Sequence, residues 1–87
     1  MLNIKVLGPG CMNCQTLEHR VVEALETLGA EATLQHVTDR LEYPKYGLLF
    51  TPGLVVNSKL VCAGRVPETS EIVTMLTTAM MDEAKTA

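Results

Sequence analysis

The chain has 87 residues, 47% of them hydrophobic and 20% charged, with a net charge of -3. That is enough for one small folded domain with one core, and it excludes a disordered chain. The acidic balance and the lack of a basic patch argue against a nucleic-acid-binding role, and the apolar runs are far shorter than the ~20 residues of a membrane span.

Residues 2–7 alternate and then run apolar (Leu2, Ile4, Val6, Leu7), which predicts a buried strand. Gly8, Pro9 and Gly10 break it; the two glycines allow a sharp turn and leave room for a substrate. No Lys, Ser or Thr follows them in a phosphate-loop pattern. Leu17, Val21, Ala24, Leu25 and Leu28 then recur at helical spacing, predicting an amphipathic helix from about Cys11 to Leu28 with Gly29 ending it. Ala32, Leu34 and Val37 mark a second strand, with His36 near its end and near a sheet edge.

Residues 38–50 read as a short helix or an irregular connector. Thr38 or Asp39 can cap a helical turn through Leu41 and Glu42, but Pro44 stands against a long one. Gly53 to Val56 is a third strand, Asn57-Ser58 a tight hairpin turn, and Lys59 to Ala63 a fourth strand antiparallel to the third. Pro67 opens a last helical region whose buried face is Ile72, Val73, Leu76, Ala79 and Met80. Residues 82–87 read as a frayed tail of a single domain spanning 1–87. The order is β-α-β-α-β-β-α: an α/β fold with a four-stranded mixed sheet flanked by helices, strands one and two parallel.

The chemistry concentrates in Cys11-Met12-Asn13-Cys14, a C-x-x-C pair at the junction of the first turn and the first helix. Thiols at this spacing can close a small disulfide ring or grip a soft metal. Both uses need thiolates, and a helix start favours them through its partial positive charge. Three cysteines, one unpaired by spacing, do not suit a secreted disulfide framework, and residues 1–10 lack a secretory signal. The expectation is a cytoplasmic protein doing redox or metal chemistry. Cys62, between Val61 and Ala63, reads as a small core residue. His19 reads as solvent-exposed, and neither it nor His36 has metal-ligand spacing with the cysteines, so no metal residue is assigned. Tyr43 and Tyr46 can cover the core or line the site's rim, with core packing favoured.

C-x-x-C after the first strand and Thr51-Pro52 before the third resemble the thioredoxin fold. The match is to the minimal thioredoxin- or glutaredoxin-like proteins of bacteria and archaea, also called small redox-active disulfide proteins. It rests on Ile4 through Cys14, on Thr51-Pro52-Gly53-Leu54-Val55-Val56-Asn57 and on Gly64-Arg65-Val66-Pro67. The resemblance implies a thiol-disulfide oxidoreductase with no cofactor beyond a Cys11–Cys14 disulfide, Cys11 as nucleophile and Cys14 as resolving thiol. It implies a cis bond before Pro52 and a substrate-binding set of Thr51, Pro52, Met12 and Gly10. The implied partners are a disulfide-containing protein and an electron donor, either a thioredoxin-reductase-like enzyme or glutathione. The chain departs from larger thioredoxins: Gly10 stands where they have Trp, Met12-Asn13 replaces their central dipeptide, and no buried acid behind the resolving cysteine is evident.

Two other classes remain open from the residues. Cys11-Met12-Asn13-Cys14 and the helix behind it are also similar to heavy-metal-associated domains, which would make the protein a soft-metal (Cu or Zn) carrier. Those domains end in a strand, however, and a zinc site needs two further ligands. The third class is a binding module switched by oxidation of the same cysteines.

Overall fold

A computed structural model describes residues 2–10, 12–48 and 50–86, with side chains through residue 82. Its elements are β1 (Leu2–Leu7), α1 (Met12–Leu28), β2 (Ala32–Val37), a single 3₁₀ turn (Tyr43–Tyr46), β3 (Gly53–Val56), β4 (Lys59–Ala63) and α2 (Thr69–Thr86). The strands form one mixed sheet in the order β2-β1-β3-β4. β1 is parallel to β2 and antiparallel to β3, and β3 and β4 form a hairpin. This is the α/β thioredoxin-like architecture expected from the sequence.

Strand alternation decides which residues meet the helices. Leu2, Ile4 and Val6 of β1 and Leu54 and Val56 of β3 pack with Leu17, Val21 and Ala24 of α1 and with Ile72 and Leu76 of α2. Both helices therefore cover one face of the sheet. The opposite face carries Leu7 and Val55, sealed by Tyr43 and Leu48 from the connector between β2 and β3. β4 is bulged opposite Leu54/Val55, so Cys62 pairs with Leu54 and Leu60 with Val55, which lets Val61 and Cys62 both join the helix-side core.

The turns follow local chemistry. Gly29 takes a left-handed conformation (φ 63°), its N–H donates to Glu26, and the Ala30 N–H donates to Leu25. This pair of bonds is a Schellman cap, and it ends α1 where the glycine predicts. Asn57 and Ser58 both have positive φ, as a two-residue hairpin turn of matching twist requires. The Asn57 carboxamide oxygen also accepts from the Asn3 N–H at 2.9 Å, tying the hairpin to β1.

Three expectations shift. The short helix lies at Tyr43–Tyr46, after Glu42 rather than through it, and Pro44 sits in its first turn, where a missing N–H is harmless. The Asp39 carboxylate instead accepts from the Leu41 N–H in a local turn. Met80, expected on the buried face of α2, is 40% exposed, while Ile72, Leu76 and Ala79 pack on the core. α2 begins at Thr69 and continues through Thr86, across the stretch expected to fray; Glu83, Ala84 and Lys85 are good helix formers.

Ile72 is fully buried and Met81 is 57% exposed. Ile72→Ala is expected to cost about 2–5 kcal/mol of unfolding free energy, and Met81→Ala less than about 0.5 kcal/mol, in urea unfolding followed by circular dichroism.

Candidate functional site

The site forms where β1 ends and α1 begins. Cys11 lies outside the described residues. Cys14 is in the first turn of α1 and is fully buried. Its sulfur packs against Gly8: a Cβ built at that position would collide with Cys14 Sγ and would lie 4.0 Å from the Pro52 Cα. Gly8 thus serves the protein's own sulfur rather than making room for a substrate, as the sequence suggested. Its N–H donates to the Val37 carbonyl at 3.0 Å, which extends the β1–β2 ladder into the turn. Gly10 has φ 91°, and its carbonyl accepts from the Gln15 side chain at 3.3 Å.

The Thr51–Pro52 peptide is cis. Pro52 is buried and Thr51 exposed. The Pro52 carbonyl accepts from the Gly64 N–H at 2.9 Å, so the end of β4 braces the proline. Beyond Gly64, the Arg65 guanidinium donates to Glu71 at 2.8 Å, clipping the loop to the first turn of α2. This hydrogen bond holds the Glu71 carboxyl below its ordinary range and raises Arg65. The stabilisation from a depressed carboxyl is present above its unfolded pKa and is lost as pH falls through the folded one; the pair is exposed, so the effect is small.

A cleft of about 410 Å³ opens beside the proline, lined by Pro9, Arg40, Tyr43, Phe50 and Thr51. Phe50 is 70% exposed and Met12 is 79% exposed. Among the sequence-predicted residues, Cys14 and Pro52 meet across Gly8, and Thr51 joins the cleft next to them. Met12 and Gly10 stand at the entrance to α1 and do not form the cleft wall. Tyr43 does both things considered for it, packing in the second core and lining the cleft.

Cys62 is a buried member of the helix-side core, in keeping with its apolar strand. His19 is exposed and pairs with Glu23 one turn along α1. Three residues went unseen as site components. Arg40 and Phe50 come from the irregular connector, where no periodicity points to a cleft. His36 lies against Gly8, and only the β1–β2 register, which sets it opposite Val6, could have placed it there.

Comparison with known proteins agrees with the fold. A family profile described as "Thioredoxin domain" matches residues 2–77. A protein named thioredoxin from Methanothermobacter thermautotrophicus is 38% identical over 72 residues, covering 83% of this chain and 94% of that protein. A thioredoxin from Methanocaldococcus jannaschii is 33% identical over 72 residues, covering 83% of each chain.

Gly8→Ala and Gly10→Ala should separate close approach from backbone freedom. The Gly8 side chain would meet Cys14 Sγ, whereas nothing lies within 4 Å at Gly10. Gly8→Ala is expected to lose about 1–3 kcal/mol and to move the Cys14 NMR resonances. Gly10→Ala should cost about 1 kcal/mol, from its positive φ alone, and leave Cys14 in place.

Proposed function

The chain belongs to the thioredoxin domain family and is a disulfide oxidoreductase of that kind, and we propose that Cys11 and Cys14 are its redox-active pair. The observation that carries this assignment is the burial of the Cys14 sulfur between the start of α1 and Gly8, beside the cis-proline. A shielded second thiol of a C-x-x-C pair suits the resolving role. Cys11 immediately precedes Met12, the first residue of α1, where the helix's positive end favours a thiolate.

In this reading the Cys11 thiolate attacks one sulfur of a substrate disulfide. The substrate S–S bond breaks, one substrate sulfur leaves as a thiolate and takes up a proton, and Cys11 is left in a mixed disulfide. Cys14, as its thiolate, then attacks the Cys11 sulfur and releases the second substrate thiol. Two electrons have passed to the substrate, and the protein holds a Cys11–Cys14 disulfide. A reductase-like enzyme or glutathione returns the electrons. No further cofactor enters the cycle.

The substrate is a protein disulfide. Its chain lies along the backbone of Thr51 and Pro52, with Gly10 leaving space and the exposed Met12 supplying a polarizable contact. Phe50 and Arg40 extend this surface through the cleft. The chemistry belongs in a reducing compartment such as the cytoplasm, where reductants keep the dithiol cycling. Among the described residues, no helix is long and apolar enough to cross a membrane.

Redox titration in thiol-disulfide buffers, with the Cys11–Cys14 disulfide read by mass, tests the assignment. The expected result is a reversible two-electron midpoint of roughly -270 mV or below. Absence of a reversible disulfide together with retained Cu or Zn would replace this reading with a soft-metal carrier. Cys14→Ser is expected to accumulate mixed disulfides through Cys11, and Cys11→Ser to accumulate none; trapping through Cys14 instead would reverse the two roles.

A further inference from the structure

The cleft beside Thr51 carries one charge. Its walls are Pro9, Arg40, Tyr43, Phe50 and Thr51, so a guanidinium stands among a proline, two aromatic rings and a threonine. The chain around it is neutral. Residues 6–17, which hold the glycine turn and the start of α1, contain no Asp, Glu, Lys, Arg or His, and neither do residues 46–58.

The Arg40 guanidinium has no hydrogen bond or ion pair among the described residues. Most other cations are engaged. Lys5 donates to the Tyr46 hydroxyl at 2.7 Å, Arg20 to the Pro67 carbonyl at 3.0 Å, Lys45 to Glu42 at 3.1 Å and Arg65 to Glu71 at 2.8 Å. Lys59 lies on the β3–β4 hairpin, at a groove against α2. The carboxylates nearest Arg40 in sequence, Asp39 and Glu42, border a separate groove with Lys5 and Tyr46. Asp39 accepts there from the Leu41 N–H, and Glu42 from Lys45.

The position of this charge gives it a use. Pro9 and Thr51 adjoin Gly8, against which the Cys14 sulfur packs, and the cis-Pro52. A substrate chain extended along Thr51 advances about 3.3 Å per residue, so the side chains that reach the cleft come from residues close in sequence to the substrate's cysteine. A guanidinium is charged at every working pH and presents a planar fork of donors that matches a carboxylate. Phe50 and Leu41, 70% and 81% exposed, add apolar surface around it. With a volume of about 410 Å³, the cleft suits one carboxylate and one apolar side chain.

We propose that Arg40 is a specificity-determining residue: the cleft takes the side-chain carboxylate of an Asp or Glu near the reactive cysteine of a protein disulfide, while Phe50 packs on an apolar neighbour. This rests on the reading of Cys11 and Cys14 as the redox pair. The chain as a whole carries a net charge of -3, so the selection is made at short range by Arg40 and not by the field of the whole protein. A Lys or Arg at the same substrate position meets a like charge and is disfavoured.

The test is single-turnover reduction of peptide disulfides by the pre-reduced protein. Two electrons pass to the peptide, which gains two thiols, and the protein gains its Cys11–Cys14 disulfide. The substrates are homodimers of a short peptide with one cysteine and blocked ends, carrying Glu, Gln or Lys at one or two positions on either side of it. Each rate is divided by the rate of the same peptide with dithiothreitol, which removes the peptide's own reactivity. At about 0.02 M salt, at least one position is expected to give a Glu rate about threefold or more above Gln, with Lys below Gln. The Glu preference should shrink toward one at about 0.5 M salt. Arg40→Gln should bring the Glu-to-Gln ratio to about one, and Arg40→Glu should invert it. Phe50→Ala should slow the Glu and Gln peptides alike.

Equal normalised rates for Glu and Gln at every position overturn the inference, as does a Glu preference that survives in folded Arg40→Gln. If the Arg40 variants fail to fold by circular dichroism, the wild-type ratio and its salt dependence decide. A preference for glutathione disulfide over its methyl ester, with none among the peptides, overturns it in favour of a small thiol. A protein that reduces no peptide and forms no reversible Cys11–Cys14 disulfide refutes the dithiol reading and this inference with it, whereas normal reduction without charge preference refutes only the role of Arg40.

Discussion

The sulfur of Cys14 occupies the space that a Cβ on Gly8 would need, so α1 can press its first turn against the end of β1 only because that position is glycine. Pro52, just before the third strand, lies at ordinary contact distance from the same point. The end of β1, the first turn of α1 and the distant Pro52 converge on one point. Packing at this density leaves little room for adjustment, and the neighbouring elements are built to hold it.

The bracing comes from every side. The Gly8 N–H continues the ladder to β2 through Val37, and its carbonyl faces His36. The Pro52 carbonyl takes a hydrogen bond from Gly64 at the end of β4, and the Arg65–Glu71 pair ties the next residues to α2. β1, central in the sheet and buried on its helix side, is the rigid base for all of this.

The second face of the sheet is treated economically. With both helices on one side, the other is covered, among the described residues, by Tyr43 and Leu48 from a connector with a single 3₁₀ turn, with Val37, Tyr46 and Leu60 packed beside them. That connector also forms the wall of the cleft, through Arg40, Tyr43 and Phe50. Core cover and cleft wall are thus the same segment, so changes there act on stability and on the shape of the cleft together. Its exposed Leu41 and Phe50 leave apolar surface at this end of the molecule.

Much of this was legible in the residues themselves. Strands, helices and the hairpin announced themselves because apolar periodicity, a C-terminal glycine cap at Gly29 and the Asn57-Ser58 turn are local signals. The C-x-x-C pair and Thr51-Pro52 are local signals too, and they are the residues on which the proposed redox site rests. The connector was legible only as irregular, since a 3₁₀ turn of four residues has no period to read, and Met80 was misplaced because helical spacing does not say where a helix face stops meeting the sheet. Register and packing decided the rest: they set Gly8 under the Cys14 sulfur, put His36 behind Gly8, and brought Arg40 and Phe50 to Thr51. His36 and Gly8, and Arg40 and Thr51, are well separated in the chain, and even the shorter spacings carry no sign of which atoms meet; nothing local in a sequence encodes a distance that exists only once the elements have packed.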